Sequence, residues 1–270
     1  MILYPTCKIN LGLHILNKRN DGFHELDTCM LEVPLYDILE IIPSENFEFS
    51  TSGMEIPGES NNNLCVKAFH LIQEKHEIPN IKLHLHKQIP MGGGLGGGSS
   101  DGTFVLKMLN SLFQLNLTNS QLEEYASLLG SDCAFFVKGG AQIAKGRGEI
   151  LTPIELDLKG YYIKIVNIGI HISTKEAYAG VEFQQHRNSI SEIITRNISD
   201  WKTVLRNDFE ISVFKNYPLL KELKENLYLE GAVYASMSGS GSTMFAIFNE
   251  EPKNNSFSHL NPIYEIIKKL

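Results

Sequence analysis

No run of apolar residues in this chain is long enough to cross a bilayer. A typical apolar stretch, residues 163–170, is broken by Lys164 and Asn167, far short of the roughly 20 residues a helical span needs. Nor does Met1-Ile2-Leu3-Tyr4-Pro5-Thr6-Cys7-Lys8 carry the basic stretch and apolar core of an export signal. Cysteine is scarce: Cys7, Cys29, Cys65 and Cys133 show no CxxC spacing, which implies neither a zinc knuckle nor a redox pair. Reduced thiols in a cytoplasmic protein are the expectation. Positive charge is in deficit, 24 Lys+Arg against 31 Asp+Glu. That argues against a protein that coats nucleic acid, whose affinity rests on many cations neutralising phosphate. An anionic small ligand needs only a few local donors and fits this balance. The expected partners are small molecules, with neither nucleic acid nor membrane among them; the oligomeric state is not legible.

What is present is an ordinary folding composition, 43% hydrophobic and 20% charged over 270 residues, enough for one large domain or two compact ones. Ile9, Leu11, Leu13 and Ile15 alternate with Asn10, Gly12 and His14, the pattern of a strand with one mainly buried face. Residues 35–42 and 47–50 read as further strands. Asn61-Asn62-Asn63 reads as a cap before the helical spacing Leu64, Ala68, Leu71, Ile72. Ile81, Leu83 and Leu85 restore the two-residue period, and residues 99–113 return to helical spacing. Later strands are expected over 162–168, around Gly231-Ala232-Val233, and over 243–248. The turn Lys145-Gly146-Arg147-Gly148-Glu149 places a soft boundary near 150, dividing the chain into domains 1–150 and 151–270. The class is α+β, in two lobes.

The densest local signal is Pro90-Met91-Gly92-Gly93-Gly94-Leu95-Gly96-Gly97-Gly98-Ser99-Ser100-Asp101. Glycine at this density makes a poor strand or helix because of its backbone entropy. Between a strand and a helix, such a loop can wrap N–H groups around an anion, with the positive end of the helix behind it. Ser99, Ser100 and Asp101 are capping types, and Ser100 is also a candidate metal contact. No Gly-Lys-Ser/Thr closes the loop, so it is not a Walker A motif. A second loop, Met237-Ser238-Gly239-Ser240-Gly241-Ser242, suits either another backbone approach to ligand or a plain turn. The His84/His86 pair alternates along a strand without a visible third ligand and reads as structural.

Three segments in order, Pro5-x-x-Lys8-Ile9-Asn10-Leu11-x-Leu13, the glycine loop, and Ser238-Gly239-Ser240-Gly241, resemble the GHMP kinases. Two more, Arg19-x-Asp21-Gly22-Phe23-His24-x-Leu26 and Leu129-Gly130-Ser131-Asp132, resemble those members whose alcohol substrate carries a cytidine diphosphate. Phe23 stands where tyrosine is usual, keeping the ring and losing the hydroxyl. The resemblance implies a two-lobed GHMP kinase fold with the active site in the cleft between the lobes. It also implies ATP as donor, with Mg²⁺ bridging the phosphates.

Phosphoryl transfer needs positioning and charge stabilisation. Alone, Asp132 reads as a turn residue and Lys8 as a solvated strand residue. The resemblance makes Asp132 the general base for the acceptor hydroxyl, with Lys8 orienting and charge-stabilising beside it; Asp101 ranks second as base. It assigns the ATP site to Pro90, Met91, Gly92, Gly93, Gly94, Leu95, Gly96, Gly97, Gly98, Ser99 and Ser100, with Asn63 and Lys87 as further contacts. For the cytidyl substrate it implies Asn10, Phe23, His24, Thr174 and Tyr178. Phe23 and Tyr178 would sandwich the base while His24 reads its edge.

Overall fold

The structure is a computed structural model that describes residues 1–181, 183, 188–253 and 258–270. These fall into two compact units whose segments interleave along the chain. The first comprises Met1–Lys8, Leu35–Met91 and Gly96–Gly139; the second comprises Ile9–Pro34, Gly92–Leu95 and Gly140–Leu270. The last passage of the chain between units is thus at Gly139–Gly140, ahead of the boundary expected near residue 150.

In the first unit, strands Ile2–Leu3, Ile38–Pro43, Ile81–Lys87 and Glu48–Gly53 form a sheet in that spatial order. Glu48–Gly53 runs parallel to Ile81–Lys87, and helix Leu64–Lys75 makes the crossover that parallel pairing requires. Along Ile81–Lys87 the alternation places Ile81, Leu83 and Leu85 in the core while Lys82 is exposed. Helix Leu64–Lys75 buries Cys65, Val66, Ala68, Phe69 and Ile72. Its N-cap is Asn63, whose side chain accepts from the Cys65 amide. The helix packs on Gly97–Leu112, which buries Val105, Leu106, Met108 and Leu109. Gly102 permits the approach, since a Cβ there would lie 2.9 Å from that of Leu64.

In the second unit, strands Tyr234–Met237, Met244–Phe248, Tyr162–Asn167 and Tyr264–Lys269 form one sheet. Helix Pro218–Leu229 contributes Leu220, Leu223 and Leu227 to the core behind it. The other sheet orders Thr6–Lys18, His24–Tyr36, Ala141–Gly146 and Ile150–Pro153; residues 6–8 and 35–36 of its first two strands belong to the first unit. Residues 145–149 form the turn of the 141–153 hairpin.

Two local expectations change. Strand Thr6–Lys18 is buried on both faces from Thr6 through Ile15. Its polar positions are not solvated: the Asn10 amide donates to Thr28 Oγ1 at 3.1 Å, and Lys8 forms an ion pair. The helix after the glycine loop starts at Gly97, with Gly96 as a left-handed cap at φ +68°. Ser99, Ser100 and Asp101 therefore lie inside its first turns instead of capping it. Among the described residues no helix is long and apolar enough to cross a membrane. All four cysteines are free and buried.

Candidate active site

The first unit holds the end of the strand that leads into the glycine loop and the helix that leaves it. Behind the strand's end, the Gln88 and Ile89 amides donate to Asp37 Oδ1 at 2.6 and 2.9 Å. Lys87 Nζ donates to Asp37 Oδ2 at 2.5 Å and to Asp101 Oδ2 at 2.7 Å. Lys87 was expected to reach ATP; its side chain is instead fully buried and committed to these two carboxylates. Burial opposes its charge, but Asp101 and Asp37 outweigh that and raise its pKa. Burial, with Asp37 alongside, pushes the Asp101 carboxyl up to about 7 against the pull of Lys87.

Beside the helix start lies a cavity of about 190 Å³. Phe49, Ile56 and Leu64 supply apolar wall; Asn63, Gly98 and Asp101 supply polar edge and backbone. Asn63 thus has a capping role and a place at the cavity. Within the loop, the absent side chains answer to different neighbours. A Cβ on Gly97 would meet Ile89 Cγ2 at 2.9 Å and Lys87 Nζ at 3.0 Å, so protein occupies that space. A Cβ on Gly98 would meet only Met91 Cε, at 3.8 Å. Gly98 thus borders the cavity with space above its Cα.

Lys8 and Asp132 also meet in the first unit, Nζ to Oδ2 at 3.1 Å, the lysine buried and the aspartate side chain 32% exposed. They adjoin the loop: a Cβ on Gly96 would come within 3.1 Å of Lys8 Cγ and of Phe136 Cζ. Thr103 Oγ1 lies 2.8 Å from the Cys133 carbonyl and 2.9 Å from that of Ser99, its one proton shared between them, tying the helix to the segment that carries Asp132.

In the second unit the loop's tip is backed by the Ser-Gly turn. Ser238 Oγ donates to the Gly94 carbonyl at 2.9 Å, and the Thr243 amide to that of Gly93 at 3.2 Å. Side chains on Gly93 or Gly94 would collide with Thr243 Oγ1 or the Ser238 carbonyl. The turn therefore supports the loop's backbone. Asn10 is buried nearby, its Oδ1 3.4 Å from where a Gly239 Cβ would be.

The aromatic candidates also lie in this unit. His24 stacks on Tyr178, ring centroids 4.4 Å apart and planes within 17°. Burial, with Lys18 nearby, lowers the His24 pKa from its ordinary 6.5, which keeps the ring neutral near pH 7, with one donor and one acceptor nitrogen. Phe23 was expected to face Tyr178 across a base. Its ring is exposed instead and carries the Arg147 guanidinium, 4.8 Å from its centroid. The Phe23 amide is held by Asp21 Oδ1 at 3.1 Å. Thr174 opens the short helix Thr174–Ala179 that bears Tyr178, capped by Ser173.

Asp37 is the residue that sequence reasoning missed. Its signal was an acidic residue breaking the apolar run Leu35-Tyr36-Asp37-Ile38-Leu39.

Two family descriptions match the chain: "GHMP kinases N terminal domain" over residues 63–140 and "GHMP kinases C terminal" over residues 184–261. Fold and matches together define a GHMP kinase. A relative from Cytophaga hutchinsonii, named 4-diphosphocytidyl-2-C-methyl-D-erythritol kinase, is 48% identical over 94% of this chain and 94% of its own. One of the same name from Bacteroides thetaiotaomicron is 49% identical, with 93% of each chain covered. A crystal structure of 4-(cytidine 5'-diphospho)-2C-methyl-D-erythritol kinase superposes with a TM-score of 0.79 at 30% identity, covering 91% of this chain and 89% of its own. Mevalonate kinase from Methanococcus jannaschii shares the fold, with a TM-score of 0.72 at 15% identity and coverage of 99% and 96%. This chain belongs to the 4-diphosphocytidyl-2-C-methyl-D-erythritol kinase family.

Proposed function

We propose that the protein transfers the γ-phosphoryl group of ATP to the C2 hydroxyl of 4-diphosphocytidyl-2-C-methyl-D-erythritol. The products are the 2-phosphate and ADP, in the non-mevalonate route to isoprenoid precursors. The observation that supports this reading is the Lys8–Asp132 pair beside Gly96, an ammonium and a carboxylate adjoining the glycine loop. Asp132 accepts the proton of the C2 hydroxyl as that oxygen attacks the γ-phosphorus and the bond to the ADP oxygen breaks. Lys8 orients the hydroxyl and offsets the negative charge that develops during transfer.

ATP binds with its phosphates along residues 90–100, over the start of helix Gly97–Leu112. The cavity bordered by Gly98 and Asn63 is the place for the rest of the nucleotide. Mg²⁺, when bound, neutralises charge across the phosphate oxygens. Ser100 Oγ is buried without a hydrogen-bond partner among the described atoms, an oxygen donor that suits this hard cation. No cluster of three or more His, Cys, Asp or Glu residues among those described could hold a metal; a phosphate-bridging Mg²⁺ keeps several waters and needs no such cluster. Lys87 acts from beneath the loop.

Cytosine stacks on the exposed ring of Phe23 and is read by neutral His24, whose ring Tyr178 holds by stacking, with Asn10 and Thr174 as further substrate contacts. The functional division follows the two family matches, which leave residue 150 between them. The N-terminal domain, 1–150, carries the phosphate loop, and the C-terminal domain spans 151–270. We further propose a cytoplasmic location. Incubation with ATP and the cytidyl alcohol, followed by phosphorus NMR, tests the reaction: a new phosphomonoester and ADP should appear together. ADP without a new phosphomonoester would refute the transfer.

A further inference from the structure

Three ionisable side chains, Asp37, Lys87 and Asp101, are buried together in the first unit, none of them more than 2% exposed. Burying charges is costly, and an apolar cluster of equal volume is often as stable or more so. The site adds a further penalty. Lys87 Nζ lies 3.0 Å from where a Gly97 Cβ would be, under a helix N-terminus whose dipole disfavours a cation. Two carboxylates offset that penalty.

Their bonds have a direction. Asp37 grips the strand end through the Gln88 and Ile89 amides and Lys87 Nζ. Lys87 then reaches Asp101, in the helix that leaves the loop. The chain of bonds therefore joins the strand end before the loop to the helix after it.

We propose that Asp37, Lys87 and Asp101 form a staple that sets the spacing of the two ends of the phosphate loop, making all three positioning residues for the nucleotide. This rests on the reading of the loop as the ATP phosphate site. The staple holds the backbone donors in their binding arrangement before the nucleotide arrives, so its loss appears as weaker nucleotide binding. The cytidyl alcohol, recognised by other residues, is bound as before.

The test uses the full-length protein, titrated separately with ADP in Mg²⁺ buffer and with the cytidyl alcohol, with thermal melts to verify folding. Asp101→Ala leaves Lys87 and Asp37 as a balanced pair. It should weaken ADP about tenfold, the scale of one lost charge-assisted hydrogen bond, and change the cytidyl alcohol by less than about twofold. Asp101→Asn keeps an acceptor for Lys87 and should restore most of the ADP affinity. Asp37→Asn keeps the acceptor for the two amides, loses the Lys87 bond, and should resemble Asp101→Ala. Unchanged ADP affinity in folded Asp101→Ala, or equal losses for both ligands, would overturn the proposal. So would failure of both Asp101→Ala and Asp37→Asn to fold, because the charges would then serve the fold alone. Gly98→Val keeps the two readings apart. Weakened ADP binding in that variant alone removes the staple, whereas unchanged ADP binding in it removes the loop reading itself.

Discussion

The Lys8 ammonium lies 3.1 Å from the Asp132 carboxylate, one partner buried and the other a third exposed. That asymmetry suits a base, because the carboxylate remains reachable while its orientation is fixed from the buried side. Asp132→Asn should lower turnover roughly 10²–10⁴-fold with little change in substrate affinity. Asp101→Asn should cost much less turnover, since Asp101 points into the staple. Rates for the two variants at saturating substrates decide; equal or reversed losses would move the base to Asp101.

Gly98 and Gly97 are adjacent but face different neighbours, open space at the cavity for the first and Ile89 with Lys87 for the second. Gly98→Val should fold normally and weaken ATP binding, while Gly97→Val should lose stability as well. Thermal melts beside ATP titrations separate the two. Normal ATP affinity in Gly98→Val would mean the phosphates lie elsewhere.

Asp101 gives a pH signature. Its carboxyl is held up at about 7 in the fold, against an ordinary 3.8. Between those values the unfolded chain releases this proton while the folded chain retains it, so its contribution to stability falls as pH rises. It is present in full below about pH 3.8 and gone above about 7. Asp101→Asn should therefore gain stability relative to the parent protein as pH rises from 4 to 7, and hold that difference above 7. Urea unfolding of both at pH 5, 6 and 8 measures it; a difference that shrinks with pH would contradict the assignment.

Much of this was legible because the signals were local. The glycine loop, the Asp21-Gly22-Phe23-His24 turn and the Gly130-Ser131-Asp132 segment each sit within a few residues, and their order carried the family. The staple was not legible because Asp37 and Lys87 are 50 residues apart and meet only after strand pairing. The second buried face of Thr6–Lys18 was hidden for a related reason. Lys8, Asn10 and His14 look solvent-facing in sequence, and the partners that make burial tolerable, such as Thr28 and Asp132, come from elsewhere in the chain. The stacking of His24 on Tyr178 likewise depends on a distant helix.

The exposed Phe23 ring and the neutral His24 beside Tyr178 set the cytosine prediction. Phe23→Ala removes an exposed ring and should weaken the cytidyl alcohol about 5- to 150-fold, if stacking is worth roughly 1–3 kcal/mol as it is on single-stranded nucleic acid. ATP affinity should scarcely change. His24→Ala should in addition erode discrimination between cytidyl and uridyl forms, which differ in donors and acceptors at the base edge. Paired affinities for the two nucleotides in each variant give the answer. Discrimination that survives His24→Ala would assign the reading to another residue.

The most direct measurement is ADP release from ATP with three alcohols supplied separately: 4-diphosphocytidyl-2-C-methyl-D-erythritol, mevalonate and homoserine. The cytidyl alcohol should support turnover that Asp132→Asn lowers by roughly 10²–10⁴-fold, and the other two should give only the background hydrolysis seen without acceptor. Turnover with mevalonate or homoserine, and none with the cytidyl alcohol, would contradict the proposed function while leaving the kinase fold intact.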